Sequence, residues 1–157
     1  MTQTPMTQTT DKPTYVYVSF IHTTPEKVWR AITDAEVSAS FWHRSNISDW
    51  QVGSTWTHGF QDKPADLIGK VLEADPPKRL VLTWASPANV DNPDRVSIVA
   101  FDIHQMGEKV RVTMTHSELT PQGYKDVSEA WPAVLSNMKT LLETGGVIPD
   151  AFGGIHG

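Results

Sequence analysis

The sequence predicts an α+β domain. A curved antiparallel sheet of about six strands wraps on one long C-terminal helix, with two short helices after strand one. Three observations carry that expectation. Val127, Trp131, Val134, Met138 and Leu141 recur at spacings of four, three, four and three, widened by Leu135 and Leu142. This is one broad apolar side of a helix over Pro121 to Gly146. From Ser45 onward the helical period vanishes, and as far as Leu119 the chain shows short β-rich stretches punctuated by Gly, Pro, Asn and Asp. Before them, two helix-start signals stand in succession between Thr23 and Glu36. A helical stripe carrying a Trp needs a partner surface, and right-handed twist lets a sheet curl round a single helix.

Each element follows from local chemistry. Tyr15 to Ile21 is β-branched and aromatic, with both faces largely apolar. Thr23-Thr24-Pro25-Glu26 offers a hydroxyl cap, Pro at the first position and an acid in the first turn. Val28, Trp29 and Ile32 then face inward. Thr33-Asp34-Ala35-Glu36 reads as a capping box opening a second helix to about Trp42. Ser54 to His58 is a strand with Ser54, Trp56 and His58 on one face. Leu67 to Asp75 is the next, ended by Pro76-Pro77-Lys78. In Arg79 to Ala85, Leu80, Leu82 and Trp84 alternate with Arg79, Val81 and Thr83. Ser86 to Asp94 is a loop. Arg95 to His104 and Lys109 to Leu119 are strands joined around Met106-Gly107-Glu108. Pro132 implies a kink near Trp131, or a break with Pro132 starting the main helix.

Matching the buried faces predicts a register. Pairing His104 with Lys109 sets Ile103 beside Val110, Phe101 beside Val112, Val99 beside Met114 and Ser97 beside His116. Trp84 falls next to Ser97. Trp84, Ser97 and His116 would then form one row across three strands, facing the helix.

Length and composition bound the function. A chain of 157 residues fits one domain. Residues 14–145 are expected to form it, with 1–13 a disordered, Thr/Gln-rich tail and 146–157 a flexible one. The first stretch lacks the apolar core of a secretory signal. With no cysteine there is no disulfide, thiolate metal site or thiol nucleophile, which fits a cytoplasmic setting. A net charge of −5 without a Lys/Arg cluster argues against nucleic acid as partner. No apolar run approaches the roughly 20 residues needed for membrane insertion.

Thr24-Pro25-Glu26-Lys27-Val28-Trp29-Arg30-Ala31-Ile32-Thr33-Asp34-Ala35-Glu36 and Phe41-Trp42 resemble the opening of START-like (SRPBCC, Bet v 1-like, helix-grip) domains. Gly69 to Trp84, Val112-Thr113-Met114-Thr115-His116, and Trp131 with Leu135, Met138, Lys139, Leu142 and Glu143 are similar to one branch. That branch is named for the activator of the heat-shock-protein-90 ATPase. Ala130 stands where the family usually has Gly, and Pro132 follows the helix Trp. The resemblance implies a helix-grip fold with a hydrophobic cavity. It does not imply one activity: members bind lipids, sterols, hormones or polyketides, and some are cyclases or dehydratases. The eukaryotic co-chaperone carries an additional chaperone-binding domain that nothing in this chain supplies, so Hsp90 activation is not expected.

The chemistry visible in the chain is sparse. No Gly-rich phosphate loop, HExxH, GxSxG or EF-hand pattern occurs. His22, His43, His58, His104, His116 and His156 lack metal-ligand spacing, so neither metal nor cofactor is expected. His116 is the leading candidate for a functional polar group. It could bond a ligand carbonyl or phenol, act as acid or base, or be a core histidine satisfied by Ser97. His58 joins it if the Ser54 strand is placed correctly. Trp56, Trp84, Phe101, Met114, Trp131, Leu135 and Met138 are expected to wall the cavity, or to pack together as core. Trp29 and Trp42 are assigned to packing of the two short helices. The leading expectation is a non-catalytic binder of a small apolar molecule. The alternatives are a polyketide cyclase or dehydratase using His116 with His58 or Ser97, and a stress- or chaperone-linked interaction module. Outward parity of Val81, with Val16, Val18 and Phe20, permits a homodimer.

Overall fold

The computed structural model of the chain describes residues 12–153. Residues 1–11 of the first expected tail and 154–157 of the second lie outside the described residues. The elements run β1 (Tyr15–Ile21), α1 (Pro25–Thr33), α2 (Ala35–Trp42), β2 (Ser45–Ile47), β3 (Thr55–Gly59), β4 (Leu67–Asp75) and β5 (Arg79–Trp84). Two 3₁₀ turns follow, then β6 (Ser97–Met106), β7 (Lys109–Ser117) and α3 (Pro121–Thr144). The sheet has seven antiparallel strands in the order β1-β7-β6-β5-β4-β3-β2. The seventh is β2, whose three residues are too short to show a period.

Local signals place the helices. Thr24 Oγ1 accepts from Lys27 N at 3.3 Å and Pro25 opens α1. Asp34, not Thr33, caps α2: its Oδ1 accepts from Glu36 N and Val37 N at 2.9 and 3.0 Å. Thr120 caps α3 by accepting from Gly123 N, and Gly145 ends it with φ 85. α3 runs through Pro132 without a break. Its stripe of Trp131, Val134, Leu135 and Met138 is buried against the sheet.

The inward parity of β5, β6 and β7 is as the alternation requires. Leu80, Leu82, Val99, Phe101, Ile103, Val110, Val112, Met114 and His116 are all buried. The β6–β7 register differs from the expectation by two residues. Met106 pairs with Lys109, Phe101 with Met114, and Val99 with His116. The cause is the turn: only Gly107 and Glu108 lie between the strands, with Gly107 at φ 66 in the first central position. A slip of two preserves the face, so every inward residue stays inward. Trp84 pairs with Ser97 as expected. Ser97 becomes a diagonal rather than direct neighbour of His116.

The outer face differs at one position. Val16, Val18 and Phe20 are 52%, 46% and 45% exposed, but Val81 is buried at 5%. It lies between Glu73 and Ala100 in the ladder, one side-chain step from Arg79. Arg79 bridges Glu73 at 3.1 Å and Asp102 at 2.6 Å on that face.

Candidate functional site

Six side chains from five elements meet near one end of the sheet. Trp42 ends α2, Trp56 and His58 come from β3, Trp84 from β5, His116 from β7 and Trp131 from α3. Trp84 is central, with ring centroids 5.2 Å from Trp56, 5.5 Å from Trp131, 5.4 Å from His116 and 5.9 Å from His58. Trp42 lies 4.6 Å from His58 and 5.4 Å from Trp131. These are the offset and edge geometries that aromatic quadrupoles favour. Gly69 permits the closeness of the β3–β5 side. A Cβ there would lie 1.9 Å from Thr83 O, the atom to which Trp56 Nε1 donates at 2.7 Å.

The cluster reaches the surface beside α3. An opening of about 730 Å³ is lined by Trp42, His43, Arg44, His58, Asp66, Leu67, Trp84, Asp126, Ala130, Val134 and Phe152. A smaller one of about 320 Å³ shares Leu67, Trp84 and Asp126 with it and includes Ser97 and His116. Of the expected ligand-binding residues, only Trp84, His58, Ser97 and His116 border these two openings. Trp56, Phe101, Met114, Trp131, Leu135 and Met138 border neither and are buried in the core behind them.

His116 is fully buried and both of its nitrogens are engaged. Trp131 Nε1–H donates to Nδ1 at 3.0 Å, which makes Nδ1 an acceptor. Nε2 therefore carries the proton and donates to Ser97 Oγ at 2.7 Å; Ser97 in turn donates to Trp84 O at 3.2 Å. Burial pushes the imidazole pKa down to about 4. A charged ring would set an Nδ1 proton against the indole N–H. As placed, the ring has no vacant nitrogen with which to act as base or acid.

His58 is the second buried imidazole, and it is engaged on one side only. Its Nδ1 lies 2.6 Å from Asn46 Oδ1. Burial, reinforced by the Arg44 charge and partly opposed by Asp66, lowers its pKa to about 4. Arg44 and Asp66 pair at 2.6 Å on the rim. Among the described residues no cluster of His, Asp and Glu could hold a metal ion. Nor is any described helix long and apolar enough to cross a membrane.

A sequence model of the family described as "Activator of Hsp90 ATPase homolog 1-like protein" matches residues 22–143. The chain belongs to this family. No curated protein matches it. Solved structures share the fold of the Hsp90-ATPase-activator-like domain at low identity. A protein from Mesorhizobium loti is 24% identical with a TM-score of 0.70, over 83% of this chain and 96% of its own. The Aha1 dimer from Colwellia psychrerythraea is 22% identical with a TM-score of 0.68, over 85% and 98%. An HSP90 activator from Plasmodium falciparum is 17% identical with a TM-score of 0.70, over 82% and 95%.

Within this family member, three site residues escaped the sequence reading. Trp42, assigned to helix packing, borders the larger opening. Asn46 is buried, donating from Nδ2 to Ile32 O at 2.8 Å while its backbone N–H bonds Ser38 Oγ at 2.9 Å. Asn137, on the last helix, is fully buried. Its Nδ2 donates to Phe41 O at 2.7 Å and its Oδ1 accepts from Ile148 N at 2.6 Å. That second bond holds the segment after α3, whose Phe152 ring lies 5.2 Å from His43 at the edge of the opening. No local pattern distinguishes a buried Asn from a solvated one.

Proposed function

We propose that this domain binds a small, mostly apolar molecule at the larger opening. The observation that carries the reading is the partly exposed pair Trp42 and Trp84, stacked at 6.2 Å and bordering about 730 Å³ of space with Leu67, Val134 and Phe152. Small-ligand sites are typically of this size, apolar with a few placed polar groups. Here Trp84 and His58 touch the ligand, and Ser97 and His116 border the adjoining space. Trp56, Phe101, Met114, Trp131, Leu135 and Met138 hold the rings in place from behind. The engaged nitrogens of His116 favour binding over a cyclase or dehydratase reaction. A cysteine-free chain suits the reducing cytoplasm.

Titration with 1-anilinonaphthalene-8-sulfonate tests the reading. Saturable fluorescence gain should accompany shifts of the Trp42 and Trp84 indole resonances. Binding that leaves both indoles unmoved would sink it.

A second reading is self-association through β1. Val16, Val18 and Phe20 form an exposed apolar row on an edge strand, and the Colwellia relative is described as a dimer. Sedimentation of the wild type and of Val18→Lys tests it. A monomer at all concentrations in the wild type would remove it.

A further inference from the structure

The larger opening has an imidazole nitrogen to spare, and the fold decides what that atom can do. The Nδ2 of Asn46 is committed to Ile32 O, so Oδ1 is the atom that faces His58. An amide oxygen only accepts, so His58 Nδ1 carries the proton. In a neutral imidazole the other nitrogen, Nε2, is then a bare lone pair. The arrangement is built, not incidental. Asn46 N–H bonds Ser38 Oγ, whose own proton goes to Ala35 O at 3.2 Å, tying the acceptor to α2 as well as α1. Among the described residues, Nε2 has no hydrogen-bond partner, whereas His116 has one on each nitrogen. His58 is only 4% exposed and borders the opening, with its ring centroid 4.6 Å from that of Trp42 and 5.9 Å from that of Trp84.

We infer that His58 determines the specificity of this site: Nε2 accepts a hydrogen bond from a planar aromatic ligand that carries an O–H or N–H donor. The inference rests on the ligand-binding reading above. The flat indoles of Trp42 and Trp84 select the ring, because stacked and edge contacts reward planar π surfaces. The lone pair selects the donor. A donor-free ring would cover Nε2 without pairing it, and a buried unpaired polar atom is what a site discriminates against most strongly. The rim does not call for an anion, since Arg44 is already paired with Asp66 and stacked 4.2 Å from the Phe60 ring.

The test compares 2-naphthol with 2-methylnaphthalene, which have the same ring system and substituents of similar size, by fluorescence titration of the full chain at neutral pH. 2-Naphthol should bind about tenfold tighter, and His58→Phe should abolish that preference while still binding the methyl compound. Equal affinity in the wild type overturns the role of His58 and leaves ligand binding standing. Binding of neither compound overturns the site and the inference together. A second measurement does not depend on the variant folding. Imidazole ¹⁵N–¹H correlation should show His58 protonated on Nδ1 and His116 on Nε2. A proton on His58 Nε2 overturns the inference.

Discussion

The indole N–H of Trp131 donates to His116 Nδ1, and that contact decides which imidazole nitrogen holds the proton. From there the chain His116 Nε2–H, Ser97 Oγ, Trp84 O has one direction. A histidine that the sequence offers as an acid or base becomes a strut between α3, β7 and β6. Trp131→Phe keeps a ring in place but leaves Nδ1 unpaired in the core. It should cost about 2 kcal/mol in urea denaturation. Ser97→Ala should cost a similar amount by unpairing Nε2. If both variants match the wild type, the relay contributes nothing to stability.

Acid should weaken the fold through the two buried imidazoles. Each has its pKa lowered from 6.5 to about 4, by burial above all. Between those values the unfolded chain binds protons that the native state refuses, so stability rises with pH. The contribution is whole above pH 6.5 and is lost as the pH falls to about 4, at roughly 3 kcal/mol per histidine. Denaturation midpoints measured across that window should fall steadily with pH. A flat profile would contradict the neutral, buried state of both rings.

Gly69→Ala should be among the most damaging small changes. The added Cβ would lie 1.9 Å from Thr83 O and 2.6 Å from Trp56 Nε1, neither of which can swing away cheaply. Parting β4 from β5 there should cost about 3 kcal/mol and loosen the Trp56–Trp84 contact. Thermal unfolding, with the indole resonance of Trp56 as local probe, checks both.

Asn137→Ala removes the partners of Phe41 O and Ile148 N together. It should lower stability by about 2 kcal/mol and strip hydrogen-exchange protection from the Ile148 amide. Phe152, carried by the same segment, should then leave the edge of the opening. Retained protection at Ile148 would show that the segment is held by something else.

The strands and helices of this domain were legible because their signals are local. Thr24, Pro25 and Gly145 announce helix ends through their own backbone chemistry, and the inward residues read from the alternation of β6 and β7 are all buried. The β6–β7 register was not legible. It depends on how tightly Gly107 and Glu108 turn, and hydrophobic parity is blind to a shift of two.

The sequence by itself determined the order of the elements, the faces they bury and the wrapping of a sheet on the last helix, since periods of 2 and 3.6 are set by backbone sterics. Only the tertiary structure decided how the polar groups inside are spent. Trp131 and His116 are 15 residues apart, Asn46 and His58 are 12 apart, and Asn137 and Phe41 are 96 apart. A donor's partner across such distances is chosen by packing, and the tautomers of His58 and His116 follow from that choice.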